Sequence, residues 1–180
     1  MSHLRLDLLT ADHDLTAFDS GNALLDAWLL DHALASQRAD LARTYLALDG
    51  DALIGYVSLT TGSVRREDAP KRLVRGMPGH PIPTILIARL AVDRTHQGRL
   101  VGSRLLAEAL RRAVAASDAV AARLVVVDAI DDRAAAFYRR WGFIDVPESP
   151  RRLFRKMSDI RRSLEGERRE EQFPDMSGGP

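Results

Sequence analysis

A chain of 180 residues with 46% hydrophobic content can bury a sizeable core and is ordinary in composition for one globular α/β domain. It has no cysteine, which removes disulfides and a cysteine nucleophile, and its five histidines (His3, His13, His32, His80, His96) show no metal-ligand spacing, so no metal site is expected. The formal net charge of +1 divides unevenly, with −3 on residues 165–180 and +4 on the remainder; no apolar run reaches the roughly 20 residues a bilayer demands and no charged-then-apolar leader opens the chain, so a cytoplasmic protein without membrane contact is expected.

From His3 to Leu9, leucines at 4, 6 and 8 alternate with polar residues, the period of a half-buried strand. Leu24, Leu25, Trp28, Leu29 and Ala33 then recur at helical spacing after the turn-forming Asp19-Ser20-Gly21-Asn22, which predicts a helix with those side chains on its core face. Thr44–Leu48 and Leu53–Leu59 flank Asp49-Gly50-Asp51 and read as a hairpin. Residues 63–83 mix Pro70, Gly76, Pro78, Gly79, Pro81 and Pro83 with Arg65, Arg66, Lys71, Arg72 and Arg75, giving a long basic loop region with room for a short helix. Loops of this length inside compact domains are often functional.

The stretch from Ile85 to Leu106 runs from an apolar strand through a polar, glycine-bearing loop into an amphipathic helix that continues to about Ala116, with Leu105, Leu106, Ala109 and Leu110 on one side. A loop entering a helix N-terminus presents unpaired N–H groups and the positive end of the helix dipole to one spot, which suits a phosphate. An ordinary strand–loop–helix connection reads these residues equally well, and the flanks decide. Leu124–Val127 is strand-like. Asp131 or Asp132 then offers a helix N-cap, and Gly142 a C-terminal stop after Ala134–Trp141. Taken alone, Tyr138 in this helix is either an acid or a packing residue between Phe137 and Trp141. Leu153–Met157 reads as a last strand and Asp159–Leu164 as a short closing helix. Residues 165–180 lack an apolar period and are expected to form a flexible acidic tail outside a domain of 1–164.

Two motifs carry a family resemblance. Gln97-Gly98-Arg99-Leu100-Val101-Gly102 resembles the Arg/Gln-x-x-Gly-x-Gly/Ala pyrophosphate loop of the GNAT acetyltransferases, and Phe137-Tyr138 with Gly142-Phe143 resembles their FY-x-x-x-GF signature. The resemblance implies the GNAT fold: an α/β single domain with a central mixed, mostly antiparallel twisted sheet, splayed at the acetyl-CoA cleft and flanked by helices. It also implies acetyl-CoA as cosubstrate, bound by Leu90, Ala91, Val92, Gln97, Gly98, Arg99, Leu100, Val101, Gly102, Ser103 and Phe137. Tyr138 would protonate the leaving thiolate, and strand amides near Ala91 and Val92 would polarise the thioester carbonyl. Leu100 departs from the pattern, standing where the family usually has glycine. It is harmless if residue 100 has helical dihedrals and turns its side chain away, and obstructive otherwise.

Within that family one branch is similar along most of the chain. Phe18–Asn22 with Leu25–Leu29, Arg43-Thr44-Tyr45, Gly55–Leu59, Gly62-Ser63-Val64, Pro81-Ile82-Pro83, Ala88–Asp93 and Pro150–Phe154 resemble, in order and spacing, the acetyltransferase toxins of type II toxin-antitoxin systems. The resemblance implies acetylation of the α-amino group of aminoacyl-tRNA, which blocks translation, and a ribbon-helix-helix antitoxin as partner; it suggests a homodimer. Arg65, Arg66, Arg75 and Arg89 are the candidates for tRNA contact, Arg89 being equally readable as a core ion pair. An α-amino group, with a pKa near 8 against about 10.4 for lysine, needs no strong base, and none stands out: His96 and Asp93 have no motif reason to face the nucleophile. Two rival readings stay open, a GNAT acetyltransferase for a small-molecule or protein amine, and a non-catalytic module acting through its antitoxin.

Overall fold

The computed structural model describes residues 4–146 and 148–172, so His3 of the expected first strand and residues 173–180 of the expected tail lie outside the described residues. The chain divides into two compact units, Met1–Gly62 with Ile85–Ala109, and Ser63–Thr84 with Leu110–Pro180. Among the described residues seven strands supply the sheet, in the order β1-β2-β3-β4 and β5-β7-β6, and six α-helices complete the α/β protein that the patterning predicts.

In the first unit the alternating leucines form β1 (Leu4–Leu8). Asn22 then caps α1 (Ala23–Asp31), its side-chain oxygen accepting from Leu24 N–H at 3.1 Å and Leu25 N–H at 3.2 Å, a cap worth about 1 kcal/mol. The helix breaks at His32 and resumes as α2 (Ala33–Arg38). β2 (Arg43–Asp49) pairs antiparallel with β1, Leu6 opposite Ala47, and with β3 (Ala52–Val64), Tyr45 opposite Val57. Leu29 and Ala33 are buried with Leu9, Phe18, Leu46, Leu48, Tyr56 and Ala91, and Leu25 and Trp28 pack against them. Leu24 departs from the predicted core face: in the first turn of α1 its amide serves the cap while its side chain stands 83% exposed. Thr44 and Ser58, paired across β2 and β3, are fully buried and share a 3.2 Å hydroxyl hydrogen bond. Gly55 allows a close approach, since a Cβ there would lie 2.8 Å from Leu105 Cδ1 and 3.0 Å from the carbonyl oxygen of Ala91.

The basic stretch after β3 contains a 3-10 turn at Arg66–Asp68 and a short α-helix, α3 (Lys71–Val74), before β4 (Ile82–Val92) begins. α4 (Val101–Ala119) buries Leu105, Leu106, Ala109 and Leu110 as the periodicity requires.

In the second unit β5 (Leu124–Asp128) is apolar and buried through Val127. α5 (Asp132–Arg140) is capped by Asp131, whose carboxylate accepts from Ala134 N–H at 2.7 Å. It ends in a Schellman turn: Phe143 N–H reaches Tyr138 O at 3.2 Å and Gly142 N–H reaches Arg139 O at 3.0 Å, with Gly142 at φ +78°. β6 (Ile144–Val146), three half-buried residues, has no sequence signal. It pairs antiparallel with β7 (Ser149–Lys156), which also pairs with β5. α6 (Met157–Gln172) runs well past the expected helix of 159–164 and makes residues 165–172 helical. Among the described residues no helix is long and apolar enough to cross a membrane, and no group of three or more His, Asp or Glu could hold a metal ion.

Candidate active site

The loop after β4 is fastened at several points to the 19–21 turn of the same unit. Asp93 accepts Thr95 N–H (2.9 Å) and Thr95 Oγ1 (2.6 Å) on one carboxylate oxygen and Asp19 N–H (3.2 Å) on the other. Burial raises its carboxyl, but these hydrogen bonds outweigh it and hold Asp93 below the ordinary carboxylate value. Arg94 forms a two-point pair with Asp19 at 3.0 Å for each contact, and its N–H donates to Asp19 O at 2.9 Å. Gln97 Nε2 donates to Ser20 O at 2.9 Å and to Val92 O at 3.0 Å. The Gln97 side chain therefore braces the loop. His96 belongs to the same network, with Nδ1 2.8 Å from Thr95 Oγ1 and 3.6 Å from Asp93 Oδ1.

Gly98 (φ +76°) and Leu100 (φ +64°) then turn the chain into α4, and Leu100 O accepts Arg104 N–H at 3.0 Å. This places the N–H groups of Val101, Gly102 and Ser103 at the head of a 19-residue helix, where no carbonyl of a preceding turn can take them. Their positive helix end, the open space around Gly98 and the exposed Arg99 fit a pyrophosphate. The backbone at residue 100 is left-handed, so the first condition under which leucine would be harmless fails; the glycine of the family pattern is the residue such a φ favours. The Leu100 side chain is 70% exposed, so it packs against little of the protein itself.

Among the described residues Arg89, on β4, forms no ion pair, one of its two expected roles. Its guanidinium carbon lies 3.9 Å from the ring centroid of Trp28, which in turn stacks on Tyr56 at 6.2 Å and 19°. Desolvation lowers its pKa. Tyr56, whose hydroxyl donates to Leu25 O at 2.8 Å, is pushed above the ordinary phenol value by burial.

Tyr138 lies on α5 in the second unit, 5% exposed. Its ring makes edge contacts with Phe137 (5.2 Å) and Phe143 (5.7 Å), so the motif's aromatic residues form one cluster. Phe143 takes the place expected of Trp141 because the Schellman turn folds residue 143 back over the helix end. Among the described residues the Tyr138 hydroxyl has no hydrogen-bond partner, and burial alone pushes its pKa up. The phenol therefore keeps its proton across the physiological range and is available as a donor. Apolar surroundings that raise a phenol raise a thiol as well, so the two groups keep a rough match in acidity in such a place.

The basic residues of 65–75 do not form one uniform patch. Arg65 is committed to Asp68 at 2.8 Å and to Glu67 at 3.4 Å, and the hydrogen bond to Asp68 raises its pKa. Among the described residues Arg66, Lys71, Arg72 and Arg75 have no acidic partner. These four, with Glu67 and Val74, line an open depression of about 680 Å³. Much of the remaining arginine is internally paired: Arg139 with Asp145, Arg151 with Asp132, Arg152 with Asp128, and Arg161 with Asp118. Composition gave equal weight to all of these arginines. Asp19, Trp28, Lys71 and Arg72 take part in these arrangements without having been candidates from the sequence; Lys71 and Arg72 had a signal in the basic loop, and Asp19 and Trp28 in the family-like segments 18–22 and 25–29.

Comparison with known proteins gives the same outline. The profile of the acetyltransferase (GNAT) family matches residues 7–143. A protein described as a tRNA-acetylating toxin, from Mycobacterium tuberculosis (strain ATCC 25618 / H37Rv), is 41% identical over 148 residues, which cover 82% of this chain and 89% of that protein. A solved structure of AtaT complexed with acetyl-methionyl-tRNAfMet superposes with a TM-score of 0.83 at 31% identity, covering 89% of this chain and 99% of the other. A tyrosine-to-phenylalanine mutant of AtaT, bound to the C-terminus of the antitoxin AtaR and acetyl-CoA, has a TM-score of 0.77 at 30% identity, covering 89% and 97% of the two chains.

Proposed function

The chain belongs to the acetyltransferase (GNAT) family, and from that premise we propose that it is the toxin of a type II toxin-antitoxin pair, an N-acetyltransferase that acetylates the α-amino group of aminoacyl-tRNA and so blocks translation. Acetyl-CoA supplies the activated acetyl group as a thioester. The N–H groups heading α4, held in place by the Gln97 and Asp19–Arg94 braces, bind its pyrophosphate. Tyr138 supplies the proton that the leaving thiolate needs, and an acceptor amine with a pKa near 8 is sufficiently deprotonated at neutral pH to attack without a dedicated base. The proton that the nitrogen sheds as it becomes an amide passes to water, from which the Tyr138 phenolate is reprotonated.

The observation that carries the choice of substrate is the depression lined by Arg66, Lys71, Arg72 and Arg75, where four cations stand without acidic partners among the described residues. A polyanion such as tRNA meets that charge. A small-molecule or protein amine would leave it unopposed. The relatives support the same reading: a 41% identical protein is called a tRNA-acetylating toxin, and AtaT has been captured with acetyl-methionyl-tRNAfMet and with an antitoxin segment. The partner we propose is a ribbon-helix-helix antitoxin, the working form is a homodimer, and the setting is the cytoplasm where charged tRNA is found.

The test is transfer of labelled acetyl from acetyl-CoA to a bulk pool of aminoacylated tRNA by the purified protein. Label released with the amino acid when the tRNA ester is hydrolysed is the expected result. Protein that binds acetyl-CoA yet labels no charged tRNA contradicts the proposal.

A further inference from the structure

We propose that Arg89 and Trp28 form the subsite for the single-stranded, charged 3′ end of the tRNA, the Arg89 guanidinium taking a phosphodiester and the Trp28 ring holding that guanidinium in plane. This inference rests on the proposed reading of the substrate.

Arg89 is half-buried on β4 and loses solvation there, yet among the described residues it has neither a carboxylate partner nor a hydrogen-bond acceptor. Its neighbour is the Trp28 ring, 3.9 Å away. Asp26, the α1 acid that acts on Tyr56, is engaged by Ser20 through its N–H (3.1 Å) and Oγ (2.5 Å). A desolvated cation without a counter-ion is costly in a folded protein. Stacking on an indole repays part of that cost but covers only a face of the guanidinium, leaving its in-plane donors unused. Those donors form a planar fork, the geometry that accepts two oxygens of a phosphate or carboxylate.

The indole is itself fixed. It stacks on Tyr56, which is anchored through its hydroxyl to Leu25 O and abutted edge-on by Phe18 at 5.7 Å. A rigid aromatic column supporting an unused arginine fork matches the way proteins grip single-stranded RNA, where bases and phosphates are met by aromatic faces and guanidinium planes. The cations of residues 66–75 offer dispersed charge, whereas Arg89 and Trp28 offer one directed contact. The first attracts a polyanion of any sequence, and the second fixes a particular phosphate. Trp28 is thus a positioning residue that acts through Arg89.

The experiment compares steady-state KM for charged tRNA with Kd for acetyl-CoA in the wild type and in Arg89→Ala, Arg89→Lys, Trp28→Phe and Trp28→Leu, with the thermal midpoint of each. Arg89→Ala removes a bidentate, charge-assisted grip and raises KM for charged tRNA about 10- to 100-fold, while Kd for acetyl-CoA stays within about twofold. Lysine restores only part of the loss, because an ammonium has no fork. Phenylalanine at 28 keeps the stack and a KM near wild type, and leucine raises it. Unchanged KM for charged tRNA in Arg89→Ala overturns the inference while leaving the proposed substrate standing. A rise in Kd for acetyl-CoA instead assigns Arg89 to the cofactor's phosphates and overturns it too. Equal losses in both, with a lowered midpoint, mean the stack is structural. If Trp28→Leu does not fold, the two Arg89 variants carry the decision, and a wild type that labels no charged tRNA removes the substrate reading and this subsite together.

Discussion

The side-chain amide of Gln97 sits 2.9 Å from the carbonyl oxygen of Ser20, joining the loop that precedes α4 to a turn 77 residues earlier in the chain. The same nitrogen donates to Val92 O at 3.0 Å, so one side chain ties the end of β4, the loop and the 19–21 turn together. In the family resemblance this position belongs to the pyrophosphate motif. Here its side chain holds the shape of the loop, and under the proposed function the helix N–H groups are what meets the phosphates. Gln97→Ala removes two hydrogen bonds, each worth about 1 kcal/mol net, and acetyl-CoA affinity should fall about tenfold or more, as read by calorimetric titration. Gln97→Glu should do worse, since a carboxylate cannot donate to either carbonyl. Affinity unchanged in both variants would show that the loop keeps its shape without the brace.

Leu100 holds a φ of +64° with its side chain 70% exposed. A left-handed conformation costs a non-glycine residue roughly 1–2 kcal/mol, and glycine gives back about 0.4–1 kcal/mol through the entropy of the unfolded chain. Leu100→Gly should therefore raise stability by about 0.5–1 kcal/mol, measured as a higher urea midpoint at constant m-value. Leu100→Val, β-branched at the same φ, should lower it. A destabilised glycine variant would mean that the exposed leucine makes an interaction worth more than the strain.

Tyr138→Phe removes one hydroxyl and keeps the ring contacts with Phe137 and Phe143. Turnover should drop by about one to three orders of magnitude with acetyl-CoA binding nearly unchanged. Because burial raises the phenol, wild-type kcat should show no fall assignable to Tyr138 below about pH 10, its unperturbed value. Near-normal turnover of the phenylalanine variant would remove Tyr138 from the chemistry.

Charge reversal separates the two kinds of arginine in the basic loop. Arg66→Glu, Arg72→Glu and Arg75→Glu should each weaken tRNA binding and reduce the slope of log K against log salt by about 0.7–0.9 for every phosphate the variant no longer neutralises. Arg65→Ala should leave the slope unchanged, since its guanidinium is already spent on Asp68 and Glu67. Binding measured between low and moderate salt decides this, and an equal effect of Arg65 would dissolve the distinction.

Asp93 titrates below its ordinary value, burial being outweighed by the hydrogen bonds it accepts from Thr95 and Asp19. A carboxylate with a depressed folded-state pKa contributes stability that is fully present above the unfolded value of about 4 and is lost as pH falls through the folded pKa. The destabilisation caused by Asp93→Asn should thus be largest near neutrality and shrink as pH falls below about 4 and through the folded pKa. Urea midpoints of both proteins at several pH values test this. A difference independent of pH would detach Asp93's charge from loop stability.

Local chemistry made much of this protein legible in its sequence. The leucine alternation of β1, the capping residues Asn22 and Asp131, the Gly142 stop and the apolar period of α4 depend on neighbours within a turn or a strand, and those neighbours are adjacent in the chain. The two family motifs are similarly short-range, because a phosphate loop must lie between its strand and its helix. Tertiary structure decided what depends on distant partners. Burial of Thr44 against Ser58, the engagement of Gln97 by Ser20, the Asp19–Arg94 pair and the seating of Arg89 on Trp28 each join residues 14 to 77 positions apart, and no periodicity encodes such a meeting. The same holds for charge. Composition counts Arg65 and Arg66 alike, and only the folded chain pairs one with Asp68 while the other has no acidic partner among the described residues, because an ion pair needs a particular separation and orientation of two side chains, which the fold sets.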